Sequence, residues 1–191
     1  MVALASLLLA GTACARISED PVVPGVLPVM QWDHQPQSAE WTEATLDALR
    51  SEGVALLSET PNDISTWCPA YVEGTEDERA AFWAGLLSAL ARYESTWNEE
   101  AVGGGGRWIG LVQIAPATAR GYGCEATTVA ELQDGSANLE CAVRIAAQTV
   151  TRDGVVAAGG GGFAADWGPF TSSAKREAMA EWVRDQDYCR A

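Results

Sequence analysis

The 191-residue chain, 48% of it hydrophobic, is long enough to bury one sizeable core without metals or repeats. Its 12 basic residues against 26 acidic ones give a formal net charge of −14. That balance excludes a phosphate-neutralising nucleic-acid surface and electrostatic docking on anionic lipid.

Residues 2–10 form an apolar run followed by small residues, as in the apolar region and cleavage zone of an export signal, although a basic leader is missing. Two cuts compete. Ala13-Cys14-Ala15 offers a small-residue site releasing a soluble chain near Arg16, whereas 11–14 reads as a degraded lipobox that would lipidate Cys14. Export without the anchor is the expected outcome, to the periplasm or cell envelope. Both cuts leave Cys68, Cys124, Cys141 and Cys189, an even set that suggests two disulfides in an exported chain. No C-x-x-C pair exists and His34 is the only histidine, so zinc is the weaker reading. Of the three possible pairings, Cys124–Cys141 with Cys68–Cys189 is favoured. It staples a loop to the helix expected after Ser136 and ties the C-terminal end to the segment before the central helix.

Residues 18–37 are proline-rich and aperiodic, so they read as a linker or a segment laid along the surface. Residues 41–57 look helical through Leu46, Leu49 and Leu56, and Pro61 follows as a breaker. Together 16–75 form an N-terminal linker and helical extension to a single helical domain over 76–191. That domain opens on a capping box, Thr75 with Glu78, with Glu76 and Asp77 in the first turn. The helix runs over about 76–97. Trp83, Leu87, Leu90 and Glu94 share one face, while Phe82, Leu86, Ala89, Tyr93 and Trp97 share the next, so it is apolar over much of its circumference and central. Glu94 then closes an apolar stripe near the helix's negative end, where desolvation raises a carboxyl's pKa into the range of a general acid. Glu99 and Glu100 have no apolar frame and are expected in solvent.

The glycines at 103–106 form a loop rather than a phosphate cradle, because Arg107 and Trp108 follow where a P-loop needs Lys and Ser or Thr. Residues 108–114 are a short strand or turn. Pro116 opens a short helix that Gly121 or Gly123 closes. Ser136 caps a further helix that Gly154 stops, 159–162 is a second glycine run, and Ser172 or Ser173 begins a last helix with Met179 and Trp182. The fold class is mainly α, with at most a small β element. The single histidine removes Ser-His-Asp and Cys-His triads. Trp97, Trp108, Trp167 and Tyr122 are candidate stacking faces for a ligand.

Glu94-Ser95, then Gly110-Leu111-Val112-Gln113-Ile114, then Pro116-Ala117-Thr118-Ala119, in this order and spacing, resemble the soluble lytic transglycosylases of the lysozyme-like superfamily. The resemblance covers about residues 80–170. It implies a lysozyme-like α+β fold and cleavage of the β-1,4 bond between N-acetylmuramic acid and N-acetylglucosamine in peptidoglycan. A 1,6-anhydro-muramyl product is implied too, with no metal or organic cofactor. It assigns Glu94 as the catalytic acid and places Ser95, Val112 and Gln113 at the substrate, with Tyr122 and Trp167 as cleft aromatics. Glycan strands of peptidoglycan are the implied partner, no nucleic acid is involved, and a monomer is expected. Two departures stand out: Val112 replaces the family's usual methionine, and at the family's tyrosine near the acid either Asp166 puts a carboxylate in place of the phenol or the match shifts by one residue and Trp167 supplies the aromatic wall. If Asp166 shares a cleft with Glu94, the two carboxyls titrate together, and Asp166 becomes the candidate water-activating base of a hydrolytic muramidase. A glycan-binding module without turnover is the other alternative.

Overall fold

The computed structural model describes residues 26–190. The signal and lipid-anchor expectations at residues 1–15, Cys14 included, lie outside the described residues.

The architecture is organised around helix α4, Glu76–Glu94. Its start is the expected capping box: Thr75 Oγ1 accepts from the Glu78 amide at 3.3 Å, and the Glu78 carboxylate accepts from the Thr75 amide at 2.7 Å. Each residue from Ala80 to Ala91 is buried, so the helix is covered on all sides. Helix α1 (Ser38–Ser51) packs against both α4 and α7 (Gly135–Asp153), and α8 (Ser173–Arg184) packs against α4. Trp83, Phe163, Trp167 and Phe170 form an aromatic cluster within the core, with Phe163 5.1 Å from both Trp167 and Phe170.

The N-terminal region differs from its expectation. The helix read over 41–57 is two helices, α1 and α2 (Val54–Ser58), separated at Gly53. A Cβ there would lie 2.7 Å from Val143 Cγ1 and 2.9 Å from the Leu49 Cα, so glycine permits the close approach to α7. The proline-rich segment does not merely lie along the surface. Met30 and Trp32 are buried, and the Trp32 indole donates to Thr42 Oγ1 at 2.9 Å. These residues share one hydrophobic core with α4, α7 and α8.

Helix α3 (Ile64–Trp67) leads into α4. The only regular sheet among the described residues is a hairpin of β1 (Val102–Gly103) and β2 (Trp108–Ile109), paired antiparallel. Helix α5 (Pro116–Tyr122) ends at Gly123 in the left-handed region, φ 73°. Helix α6 (Val129–Leu132) carries a capping box of its own, Thr128 with Glu131, which the sequence reading passed over. Helix α7 is capped by Asp134 rather than Ser136; the Asp134 carboxylate accepts from the Ala137 amide at 2.9 Å. Gly154 ends it, as expected, at φ 66°. Disulfides join Cys68 to Cys189 and Cys124 to Cys141, the favoured pairing.

Candidate active site

Helix α4 stops at Glu94 because the next residues cannot continue it. Ser95 caps the helix, and Thr96 and Trp97 adopt left-handed backbone at φ 55° and 57°, a conformation non-glycine residues rarely hold without support. The support is visible: the Trp97 amide donates to the Ala91 carbonyl at 3.3 Å, and its indole donates to the Ser88 carbonyl at 2.9 Å. Glu99 fixes the following turn. Its carboxylate accepts from the Trp41 indole and from the Gly135 amide at the start of α7, each at 3.1 Å. Glu99 is therefore an anchor between three segments and not the solvated residue expected; Glu100 is exposed as expected.

The chain turns next into the β1–β2 hairpin, and the Gly110–Gln113 loop folds back beneath it. Ile109 and Ile114 exchange backbone hydrogen bonds at 3.0 and 2.9 Å, which closes the loop. Gly110 sits at φ 81°, and a Cβ on it would collide with the Leu132 carbonyl and the Asn138 amide. Asn138, fully buried on α7, holds this loop in place: its Oδ1 accepts from the Val112 amide at 3.0 Å. Its Nδ2 donates to the carbonyls of Ile109 and Leu132 at 3.0 and 2.9 Å. Gln113, at φ 53°, donates its side-chain amide to the Ala101 and Gly110 carbonyls at 3.2 and 2.9 Å, which ties the loop to the segment descending from Glu94.

Glu94 is half-buried, and among the described residues its carboxyl makes no hydrogen bond or ion pair. Burial pushes its pKa from 4.5 up to about 7, and the Lys175 cation on α8 opposes that rise. A carboxyl so placed keeps a substantial protonated fraction at neutral pH, with a free proton to deliver. Ser95, half-buried beside it, donates its hydroxyl to the Ala91 carbonyl at 3.2 Å and keeps its oxygen lone pairs available. Among the described residues, Glu94 lines none of four surface cavities of about 990, 490, 230 and 480 Å³; the last, lined by Trp41, Trp97 and Glu99, adjoins the turn after it.

Two expected substrate contacts belong to the core instead. Val112 is 0% exposed, and Trp167 is 3% exposed with its indole donating to the Val112 carbonyl at 2.9 Å. Trp167 thus packs on Phe163 and supports the motif loop from behind, with no face open to a sugar. Trp97 turns its indole inward and meets His34 edge-on at 4.5 Å. Trp108, 44% exposed on the hairpin, is the tryptophan with an open face, and Arg107 lies 5.6 Å from its ring centre. Tyr122 is half-buried at the end of α5 and donates its hydroxyl to the exposed carboxylate of Asp166 at 3.0 Å. Burial and that carboxylate push the Tyr122 pKa up. The electrostatic influences on Glu94 are burial and Lys175, while the Asp166 carboxylate is engaged by Tyr122. Sequence reasoning missed Asn138, Glu99 and Lys175. Each acts across a long sequence distance, and only the polar type of Asn138 within an apolar helix face offered a signal.

Comparison with known proteins follows the same lines. Residues 72–175 match the family described as the Transglycosylase SLT domain. Among solved structures, the wild type of Bd0314 DslA is 26% identical, with a TM-score of 0.77, across 87% of this chain and 100% of that one. One glutamate-to-glutamine variant of DslA gives 26% identity and a TM-score of 0.78, and another gives 25% and 0.76, with the same coverage. A comparison with curated proteins finds no match. With the family model spanning more than half of its residues on a lysozyme-like, mainly helical fold, the chain belongs to the transglycosylase SLT domain family.

Proposed function

We propose that the protein is an exported peptidoglycan lytic transglycosylase that cleaves the β-1,4 bond between N-acetylmuramic acid and N-acetylglucosamine. The observation that carries this reading is Glu94: half-buried, without a hydrogen-bond partner among the described residues, and protonated up to about pH 7. In its protonated form it gives a proton to the glycosidic oxygen as the bond to the anomeric carbon breaks. The resulting carboxylate takes the proton of the muramic C6 hydroxyl, whose oxygen attacks the anomeric carbon and closes the 1,6-anhydro ring. Glu94 ends protonated and no water is consumed. An internal nucleophile held close to the reacting carbon lets one carboxyl serve where hydrolytic glycosidases typically use two. The engagement of Asp166 by the Tyr122 hydroxyl supports this one-acid mechanism over the muramidase alternative.

In this reading Ser95 and Gln113 flank the scissile bond, with Gln113 chiefly fixing the loop through its two backbone contacts, and Trp108 offers the stacking face. Tyr122 and Asp166 form a polar pair available to a sugar hydroxyl. The two disulfides and the family's action on the cell wall support export to the cell envelope; a lipid anchor at Cys14 is the alternative to a soluble form. Glu94→Gln retains shape and cannot transfer a proton, so turnover of purified peptidoglycan should fall by about 10²-fold or more with folding intact. A folded Gln variant that lyses at the wild-type rate would remove Glu94 from the mechanism.

A further inference from the structure

The acidic chain meets an anionic polymer, and the placement of its few cations bears on how. Lys175 is the only lysine among the 191 residues. Among the described residues, every cation except Arg92, Arg107 and Lys175 is engaged by a carboxylate or a backbone carbonyl. These three lie instead against aromatic rings at the end of α4 and on the hairpin. Arg92 and Lys175 share the ring of Tyr93, at 5.6 and 5.5 Å from its centre, and Arg107 lies over Trp108. Tyr93 immediately precedes Glu94, and Lys175 is near enough to Glu94 to act on its charge. Both Arg92 and Lys175 are exposed, so their charges are open to a ligand.

On the reading of Glu94 as the acid of a peptidoglycan-cleaving enzyme, we infer that Arg92 and Lys175, set on the Tyr93 ring, form a subsite for a carboxylate of the glycan substrate. The ring attracts each cation to its negative π-system and leaves their N–H donors free for an anion. The carboxylate comes from one of two places on the strand, the lactyl group of an unsubstituted muramic acid or the peptide stem. The subsite answers the charge problem of the whole molecule, because it offers local positive potential beside the acid on a chain of net charge −14.

The test reads binding, so it stands apart from turnover. In the Glu94→Gln background, affinity is measured for three ligands: peptidoglycan with its peptide stems, strands stripped of stems and bearing lactyl carboxylates, and neutral N-acetylglucosamine oligomers. Lys175→Gln should weaken binding to at least one carboxylate-bearing ligand by roughly threefold to fivefold, the range for an exposed charge contact. The same change should leave the neutral oligomers unaffected, and Lys175→Arg should retain the wild-type value. The stemmed or stripped strand that responds identifies the source of the carboxylate. An equal loss on all three ligands, or no loss on either anionic one, overturns the subsite. Failure of wild-type protein to release any soluble product would instead count against the lytic reading, and the binding series would still decide the subsite.

Discussion

At the residue scale, Glu94 has the most unusual environment of the carboxyls near the motif loop. Its pKa is raised to about 7 by burial, so the protonated form that the proposed first step requires is lost as pH rises through that value. The rate should therefore fall on the alkaline side with a limb near pH 7, and a pH profile of peptidoglycan lysis checks it. A consequence for stability follows with a definite sign. Below pH 4.5 both folded and unfolded states carry Glu94 protonated, and no penalty exists. Between pH 4.5 and about 7 only the unfolded state gains by ionising, so folding loses stability over that window and no more above it. Glu94→Gln should accordingly exceed the wild type in stability by about 1–2 kcal/mol at pH 8, after discounting for solvent, and by much less at pH 4. Thermal unfolding at the two pH values measures the difference; a gap that does not widen with pH would mean the carboxyl is not desolvated.

At the scale of elements, the hairpin and the Gly110–Gln113 loop are an assembly that Asn138 completes from α7. Asn138→Ala removes the partner of the Val112 amide and of the Leu132 carbonyl, while the Ile109 carbonyl keeps the Ile114 amide, and should destabilise the fold by about 2–4 kcal/mol. Activity at temperatures where the variant remains folded should also drop, since Gln113 and its contacts move with the loop. Denaturant unfolding paired with lysis assays separates the two effects, and an unchanged midpoint would show that the three hydrogen bonds are dispensable. Local signals made several of these elements legible in the sequence: the Thr75–Glu78 capping box, Gly123 and Gly154 as helix ends, and Pro116 at a helix start. The apolar stripe that ends in Glu94 was legible for the same reason. What escaped depended on neighbours distant in sequence. The break at Gly53 exists because Val143 approaches there, and Glu99 is anchored because Trp41 and Gly135 reach it. Trp167 looked like a cleft aromatic, yet its indole found the Val112 carbonyl and its ring found Phe163. Sequence spacing carries the period of a helix but not the identity of the surface that will cover it.

At the scale of the whole molecule, one core unites the N-terminal segment with the family domain, and the Cys68–Cys189 bridge closes it across a separation of 121 residues. Replacing both cysteines by alanine should cost about 2–5 kcal/mol of stability, the range for native disulfides in small exported domains. Urea unfolding of the double variant beside the wild type measures it, and equal midpoints would show that the core alone suffices. In the proposed mechanism the reaction is likewise a property of the whole arrangement, with α4 carrying the acid and the hairpin following it in the chain. The most direct test of a one-acid transglycosylase is the mass of what it releases from purified peptidoglycan. The account predicts muropeptides ending in 1,6-anhydro-muramic acid, each lighter by one water than the hydrolysed fragment, and their loss in Glu94→Gln. Fragments carrying that water, abolished by Asp166→Asn with Glu94 intact, would contradict it and make Asp166 the base of a muramidase.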